Sequence, residues 1–312
     1  MMSAFIDRVK NFFNEPLIPP AALQISRTCL SGVRRSLKER KLASHFILPL
    51  ADGVIEPSFD RRNIVNPGAL EKALREGILK IDSYNGPAAL LLPETCLKVF
   101  VMGFDSLPSS PAEREEILTW RLNKLVPFKS ADMRMAYDVL RSNGQAKVLL
   151  ALAKADVVKE YENLFGRLGL KVRTVGVPLL YLLDLARLEK PGHAMIVNFE
   201  EDYVSLLAVL DGQVSFYRFK PFLQDSLGPM TLPRKIDQVV NEIENTVRFI
   251  EDREKKKILE VRVRTAIRKT EGDVPAALNE RLPSLIIRGF AVSLPLPSPD
   301  QQVLSPLIGQ VL

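Results

Sequence analysis

The sequence predicts an α/β protein of two lobes built on one repeated plan, and three observations carry that reading. Each half opens as strand, turn, strand and then alternates strands with helices: ALQISRTCLSGV begins the first half and IVNFEEDYVSLLAV the second. The fully apolar run AALLLP (88–93) has the character of a strand covered on both faces. Pro191-Gly192 breaks the chain between the halves. At 312 residues the chain is long enough for two lobes, each with a core.

Composition narrows the function classes. A hydrophobic share of 46% and a charged share of 26% are those of a folded globular chain. The net charge of +6 is mild. It suits an anionic membrane surface or an acidic partner, and it lacks the one-sided clustering of a nucleic-acid binder. Cys29 and Cys96 are too few for a disulfide framework or a zinc site, which points to a reducing compartment. No run reaches the ~18 apolar residues of a membrane span. No signal-peptide pattern opens the chain. The expected location is the cytoplasm, at the membrane. His45 and His193 are the only histidines, and no triad, metal motif or Walker A motif occurs.

In chain order, residues 2–14 predict an amphipathic helix with Phe5, Val9, Phe12 and Phe13 on one face, a candidate membrane or partner contact. A proline-rich linker follows. Strands are expected across 21–37 and 44–50. A helix follows over 66–78, with Asn66 as N-cap and Pro67 in its first turn. Strands at 88–93 and 97–104 precede the stretch 111–140. There Ile117, Leu118, Leu122 and Leu125 predict the buried face of a helix, with Glu113, Glu116 and Lys124 opposite. Pro127 ends it, Phe128 anchors it, and Tyr137, Val139 and Leu140 open a strand. VLLALA is a strand. The helix from Asp156 carries Val157, Tyr161, Leu164, Phe165 and Leu168 and ends at Gly169. KVRTVGV is a strand, and 178–189 is a nearly all-apolar helix.

The second half restarts with AMIVNF. VSLLAVL and QVSFYRFK then flank Asp211-Gly212 as a hairpin. A helix over 237–257 shows Val240, Ile243, Val247 and Ile250 on one face. An alternating strand follows in KILEVRVRTAIRK, then a last strand and loop in PSLIIRGFAVSLPLPSP. Lys255–Lys257, Arg262, Arg264, Arg268 and Lys269 form a basic region, read as a solvated helix end ahead of a lipid or acidic-partner site. The many prolines of residues 270–312 point to partial disorder.

These phrases resemble the actin-like (ribonuclease H-like) fold. More narrowly, they resemble the PilM family of type IV pilus assembly proteins, with the cytoplasmic domain of the secretion protein GspL a related case. The residues that carry the likeness are Glu115-Glu116, Pro127-Phe128, Tyr137-Asp138, Val148–Ala153 and Asp156. The resemblance implies a two-lobed α/β fold with an inserted small α/β subdomain. Its divisions would be an N-terminal helix and linker (1–20), a first lobe (21–96), the insert (97–170), a return to the first lobe (171–190) and a second lobe (191–312) that is shortened or degenerate for the family.

The fold class holds Mg-ATP between its lobes on glycine-containing turns, because glycine lets backbone N–H groups approach phosphate. All three turns depart from that pattern here. Gln24 stands at the first aspartate position and Ser26 at the glycine, followed by Arg27 and Thr28. The second turn reads Asn198, Phe199, Glu200, with Glu201 and Asp202 behind. Carboxylates there repel polyphosphate. The bland reading of that acidic turn, a solvated loop, is favoured. The third turn reads Arg288-Gly289-Phe290-Ala291, where Phe290 obstructs a nucleotide. The expectation is a protein with no catalytic residue, no metal and no ATP. It is a scaffold at the cytoplasmic face of a bacterial inner membrane, in a pilus or type II secretion platform. Its partner would be the cytoplasmic tail of a bitopic membrane protein. An active ATPase of the same fold is one alternative, and a membrane tether or filament former another.

Overall fold

The computed structural model describes residues 18–36, 38, 41–142, 145–186, 192–223, 230–267, 273–290 and 296–311. The first lobe is a five-stranded sheet of β1 (Ala21–Ile25), β2 (Cys29–Arg35), β3 (Leu42–Pro49), β4 (Gly86–Leu91) and β8 (Leu170–Gly176), in the order β3-β2-β1-β4-β8. The second lobe repeats it with β9 (Ala194–Phe199), β10 (Tyr203–Leu210), β11 (Gln213–Pro221), β12 (Glu260–Thr265) and β13 (Ile286–Gly289), in the order β11-β10-β9-β12-β13. In each sheet the first three strands form an antiparallel meander, and the last two run parallel to the first. The second lobe is therefore a full repeat of the first sheet, contrary to the shortened form expected.

Helices cover both sheets, which is why their central strands are apolar throughout. On the first sheet, α1 (Pro67–Lys80) and α3 (Ala155–Arg167) bury Leu70, Leu74, Val157, Tyr161, Leu164 and Phe165 against Leu23, Ile25 and Leu90. The Asn66 side chain accepts the Ala69 N–H at 3.0 Å, as its N-cap position requires. On the second sheet, α5 (Leu232–Glu254) and α6 (Val274–Arg281) bury Ile236, Val239, Ile243, Ile250 and Leu278 against Met195, Val197 and Phe199. Between the lobes lies α4 (Pro178–Ala186). Its Leu179 and Leu182 meet Ile196 and Leu207 of the second sheet, while Tyr181 and Leu185 join the first lobe's core. A helix packed on both sides must be apolar all round.

The insert is a three-stranded antiparallel sheet in the order β5-β7-β6, from β5 (Leu97–Phe104), β6 (Met133–Ser142) and β7 (Gln145–Lys154), with α2 (Pro111–Leu122) on its outer face. It touches both lobes. Val101, Leu140 and Leu149 pack with Leu183 and Tyr217, and Lys147 reaches Ser215 at 3.1 Å and Glu254 at 3.6 Å.

Packing redraws several expected boundaries. Residues 155–167 lie on the first sheet, so the insert ends near Lys154. The C-terminal α7 (Ser298–Val311) returns to the first lobe, where Leu304, Leu307, Ile308 and Val311 bury Ala22, Val33, Ala89 and Leu91. Gly309 permits this, because a Cβ there would stand 2.1 Å from the Tyr181 carbonyl oxygen of α4. Prolines in 270–312 suggested disorder, yet α6, β13 and α7 are ordered by tertiary burial. In α2 the buried residues are Leu118 and Leu122, with Val126 beyond, while Ile117 and Leu125 are exposed. The 237–257 helix runs instead from Leu232 to Glu254.

Candidate functional site

The carboxyl ends of β1, β4, β9 and β12 converge on the crevice between the lobes, where open α/β sheets usually place their ligands. Protein side chains fill it. Asn198 is the penultimate residue of β9, and Arg264 stands beside it in register on β12. The Arg264 guanidinium is 1% exposed. Its Nη1 donates to Asn198 Oδ1 at 2.8 Å and to the Glu200 carboxylate. Its Nε donates to the Gln302 carbonyl at 2.9 Å and its Nη2 to the Val303 carbonyl at 3.0 Å, both on α7. From the first lobe, Gln24 Nε2 donates to the same Glu200 Oε1 at 3.3 Å. Strand β1 of the first lobe thus meets the second lobe's hairpin turn directly.

A second buried carboxylate ties the lobes beside this pair. Glu94 opens a short 3₁₀ turn after β4. It accepts Tyr217 OH at 2.7 Å, Asn198 Nδ2 at 2.9 Å and the Leu179 N–H at 3.3 Å, while its own N–H donates to Tyr203 OH at 3.4 Å. Burial pushes the Glu94 carboxyl above the usual range, and these donors hold it back in part. Asp202, in the same turn as Glu200, is pushed up to about 6 by burial and by the Glu200 charge, against the pull of Arg27 and Lys235. Lys235 pairs with Glu201 at 2.8 Å.

Turn by turn, the crevice differs from a phosphate cradle. In the first turn the Ser26 and Cys29 N–H groups are spent on each other's carbonyls, at 2.8 and 3.4 Å. The Glu200 N–H is spent on the Tyr203 carbonyl. Glu200 is 1% exposed, so the solvated-loop reading fails for it: Arg264 makes its burial tolerable. Phe290 is buried with Leu179, Leu182 and Ile196, where it is core. Arg288 and Gly289 lie on β13 at the edge of the second sheet. The basic region is dispersed: Arg264 is buried, Arg262 pairs with Glu260, and Lys256 pairs with Asp211. Arg268 and Lys269 lie outside the described residues, as do Phe5, Val9, Phe12 and Phe13. Among the described residues no group of His, Cys, Asp and Glu is placed to hold a metal, and no helix is long and apolar enough to cross a membrane.

Sequence reasoning missed Arg264 and Glu94 as site residues. A charged residue directly after the apolar strand AALLLP, at the carboxyl end of a parallel strand, is the signal that finds Glu94. Arg264 follows the alternating Val261 and Val263, which masks it as a solvent-facing strand residue.

A second concavity lies between the insert and the first lobe. Its volume is about 190 Å³. One wall is the inner face of the small sheet near β6, formed by Arg134, Ala136, Ala151 and Ala153; the other is β8, from Arg173 to Val177. β6 pairs only with β7, and β8 only with β4, so each brings one unpaired edge among the described residues. Val158 and Glu162 of α3 close the floor, and Arg134 bonds Glu162 at 2.6 Å.

No family model matches the chain, and no curated protein matches it by sequence. Solved structures do. A structure described as the PilM-PilN type IV pilus biogenesis complex aligns over 95% of this chain and 97% of that one, with a TM-score of 0.74 at 16% identity. The chain has the actin-like fold. A Bacteroides thetaiotaomicron protein of actin-like ATPase fold and unknown function aligns over 91% of this chain and 94% of its own, with a TM-score of 0.53 at 12% identity. The ethanolamine utilization protein EutJ from Carboxydothermus hydrogenoformans covers 95% and 91%, with a TM-score of 0.53 at 10% identity.

Proposed function

We propose that this chain is a non-catalytic scaffold of an inner-membrane assembly platform, of the type IV pilus or type II secretion kind. In this reading it works at the cytoplasmic face. Its groove between β6 and β8 captures an extended segment from the cytoplasmic tail of a bitopic membrane protein. The observation that carries the reading is an alanine-lined slot between the inner face of the small sheet and β8, bordered by β6 and β8, each of which has one unpaired edge among the described residues. Such edges bond to a peptide backbone, and the slot takes apolar side chains. The likeness to a structure of a PilM-PilN complex, whose name pairs two chains, supports a protein partner.

The interlobe crevice supports the non-catalytic part. Its residues do not fit Mg-ATP. Glu200 stands where phosphate would need backbone donors, and Arg264 beside it already spends four of its five N–H donors on Asn198, Glu200 and two carbonyls of α7. Gln24 Oε1, buried without a partner among the described residues, is an acceptor and offers phosphate nothing.

Titration calorimetry with soluble tail peptides of the bitopic proteins encoded beside this chain tests the capture. The expected result is one peptide per chain, lost when Ala136→Trp fills the slot. Binding that ignores Ala136→Trp, or no binding by any tail, contradicts the proposal.

A further inference from the structure

Helix α2 turns an uncovered stripe to solvent. Its inner residues Leu118 and Leu122, with Val126, are buried against Met102, Val148, Leu150 and Leu152 of the small sheet. The coil continues past Leu122, since Asn123 N–H bonds the Thr119 carbonyl and Val126 N–H the Leu122 carbonyl. On the outer side stands Trp120, the chain's single tryptophan, 64% exposed, with Ile117 exposed one turn before it; Leu125, also exposed, lies past the end of the helix. Exposed tryptophan flanked by aliphatic residues is the composition of an interface centre.

The charges along this stripe are ordered. Glu113 and Glu116 precede Trp120, and Lys124 follows it and lies over the indole ring at 3.5 Å. None of the three has an ion pair among the described residues. Glu116 and Lys124 stand at equal spacing on either side of Trp120, one helical turn away. Two such helices laid antiparallel about a two-fold axis at Trp120 bring each Glu116 to the other's Lys124. The stripe is self-complementary, which is what an isologous contact demands.

We propose that the outer face of α2 seats a second copy of this chain, antiparallel about Trp120. An anionic membrane is the poorer match, because Glu113, Glu115 and Glu116 would be repelled by it. One helix pair is a small interface, so the association is weak. The face lies across the small sheet from the groove, so both grooves stay open in the pair and two captured segments would be held by one assembly. The inference rests on α2 alone and stands whether or not the groove binds a tail.

Sedimentation equilibrium of the full chain from about 1 to about 300 µM, a range that spans weak specific affinities, tests it, with Trp120 emission followed in parallel. The mass should climb toward twice the monomer as the emission shifts to the blue. Lys124→Glu and Glu116→Lys should each weaken association at least about tenfold, and an equimolar mixture of the two should associate again. A monomer throughout, a dimer indifferent to both reversals, or a mixture no stronger than its parts overturns the proposal. A chain that stays monomeric yet binds anionic phosphatidylserine vesicles through Trp120 assigns the face to lipid and overturns it too.

Discussion

Between the lobes, Arg264, Asn198, Glu200 and Glu94 fill a crevice with charge and dipoles that are almost fully paired. Between the small sheet and β8, three alanines and two unpaired strand edges leave a crevice open. Both lie where sheet edges or strand ends converge. In the proposed reading the first crevice is closed and the second is open to a partner. A site closes when a buried ion finds its counter-ion inside the chain, and it stays open when small side chains leave backbone edges without partners. The small subdomain, tied by Lys147 to Ser215 and Glu254, braces the two lobes as well.

The largest effect should come from breaking the closed crevice. Arg264→Ala leaves Glu200 buried beside Glu94 with only Gln24 for company. Removing one partner of a buried ion pair costs about 3–5 kcal/mol. Chemical denaturation should show a loss of that size, while Arg288→Ala, on the edge strand, changes stability by less than about 0.5 kcal/mol. An Arg264→Ala loss under ~1 kcal/mol would mean the buried pair does not stabilise the crevice.

Filling the open crevice should separate the two regions. Ala136→Trp should weaken tail binding at least about tenfold, or ~1.4 kcal/mol. Ala136 is exposed, so its unfolding midpoint should barely move. Equal damage to folding and binding would blur the distinction drawn here.

A smaller effect is pH-dependent. The folded Asp202 carboxyl, near 6, sits above its unfolded value of about 3.9, so the folded chain binds more protons between those values. That contribution is fully present below the unfolded value and is lost as pH rises through about 6. The slope from this one group is at most ~1.4 kcal/mol per pH unit. Asp202→Asn should flatten the stability profile between pH ~4 and ~6. An unchanged profile in the variant would place Asp202 in water.

Much of the fold was readable because it is written in local signals. Asn66-Pro67, Asp211-Gly212 and the apolar run at 88–93 specify a helix start, a hairpin and a buried strand with short-range physics. The return of α7 to the first lobe was not readable, since burial against Ala22 and Ala89 is set by residues more than two hundred positions away. The same holds for the site. The altered turns at Gln24, Ser26, Asn198 and Glu200 were visible as departures from a pattern. Their replacement chemistry was not, because it depends on Arg264 and Glu94 arriving from other strands. In α2, Ile117 fits the apolar period as well as Leu118 does, and only the approach angle of the helix decides which is buried.

The most direct test of the central claim is thermal unfolding of the full chain with and without millimolar Mg-ATP. A ligand that fills a site at 100 times its Kd adds about 2.7 kcal/mol and raises the midpoint by a few degrees. Because Arg264 and Glu200 already occupy the crevice, the midpoint should not move. A rise of about 2 °C or more, abolished by Arg27→Ala, would show that the crevice holds nucleotide and that the scaffold account is wrong.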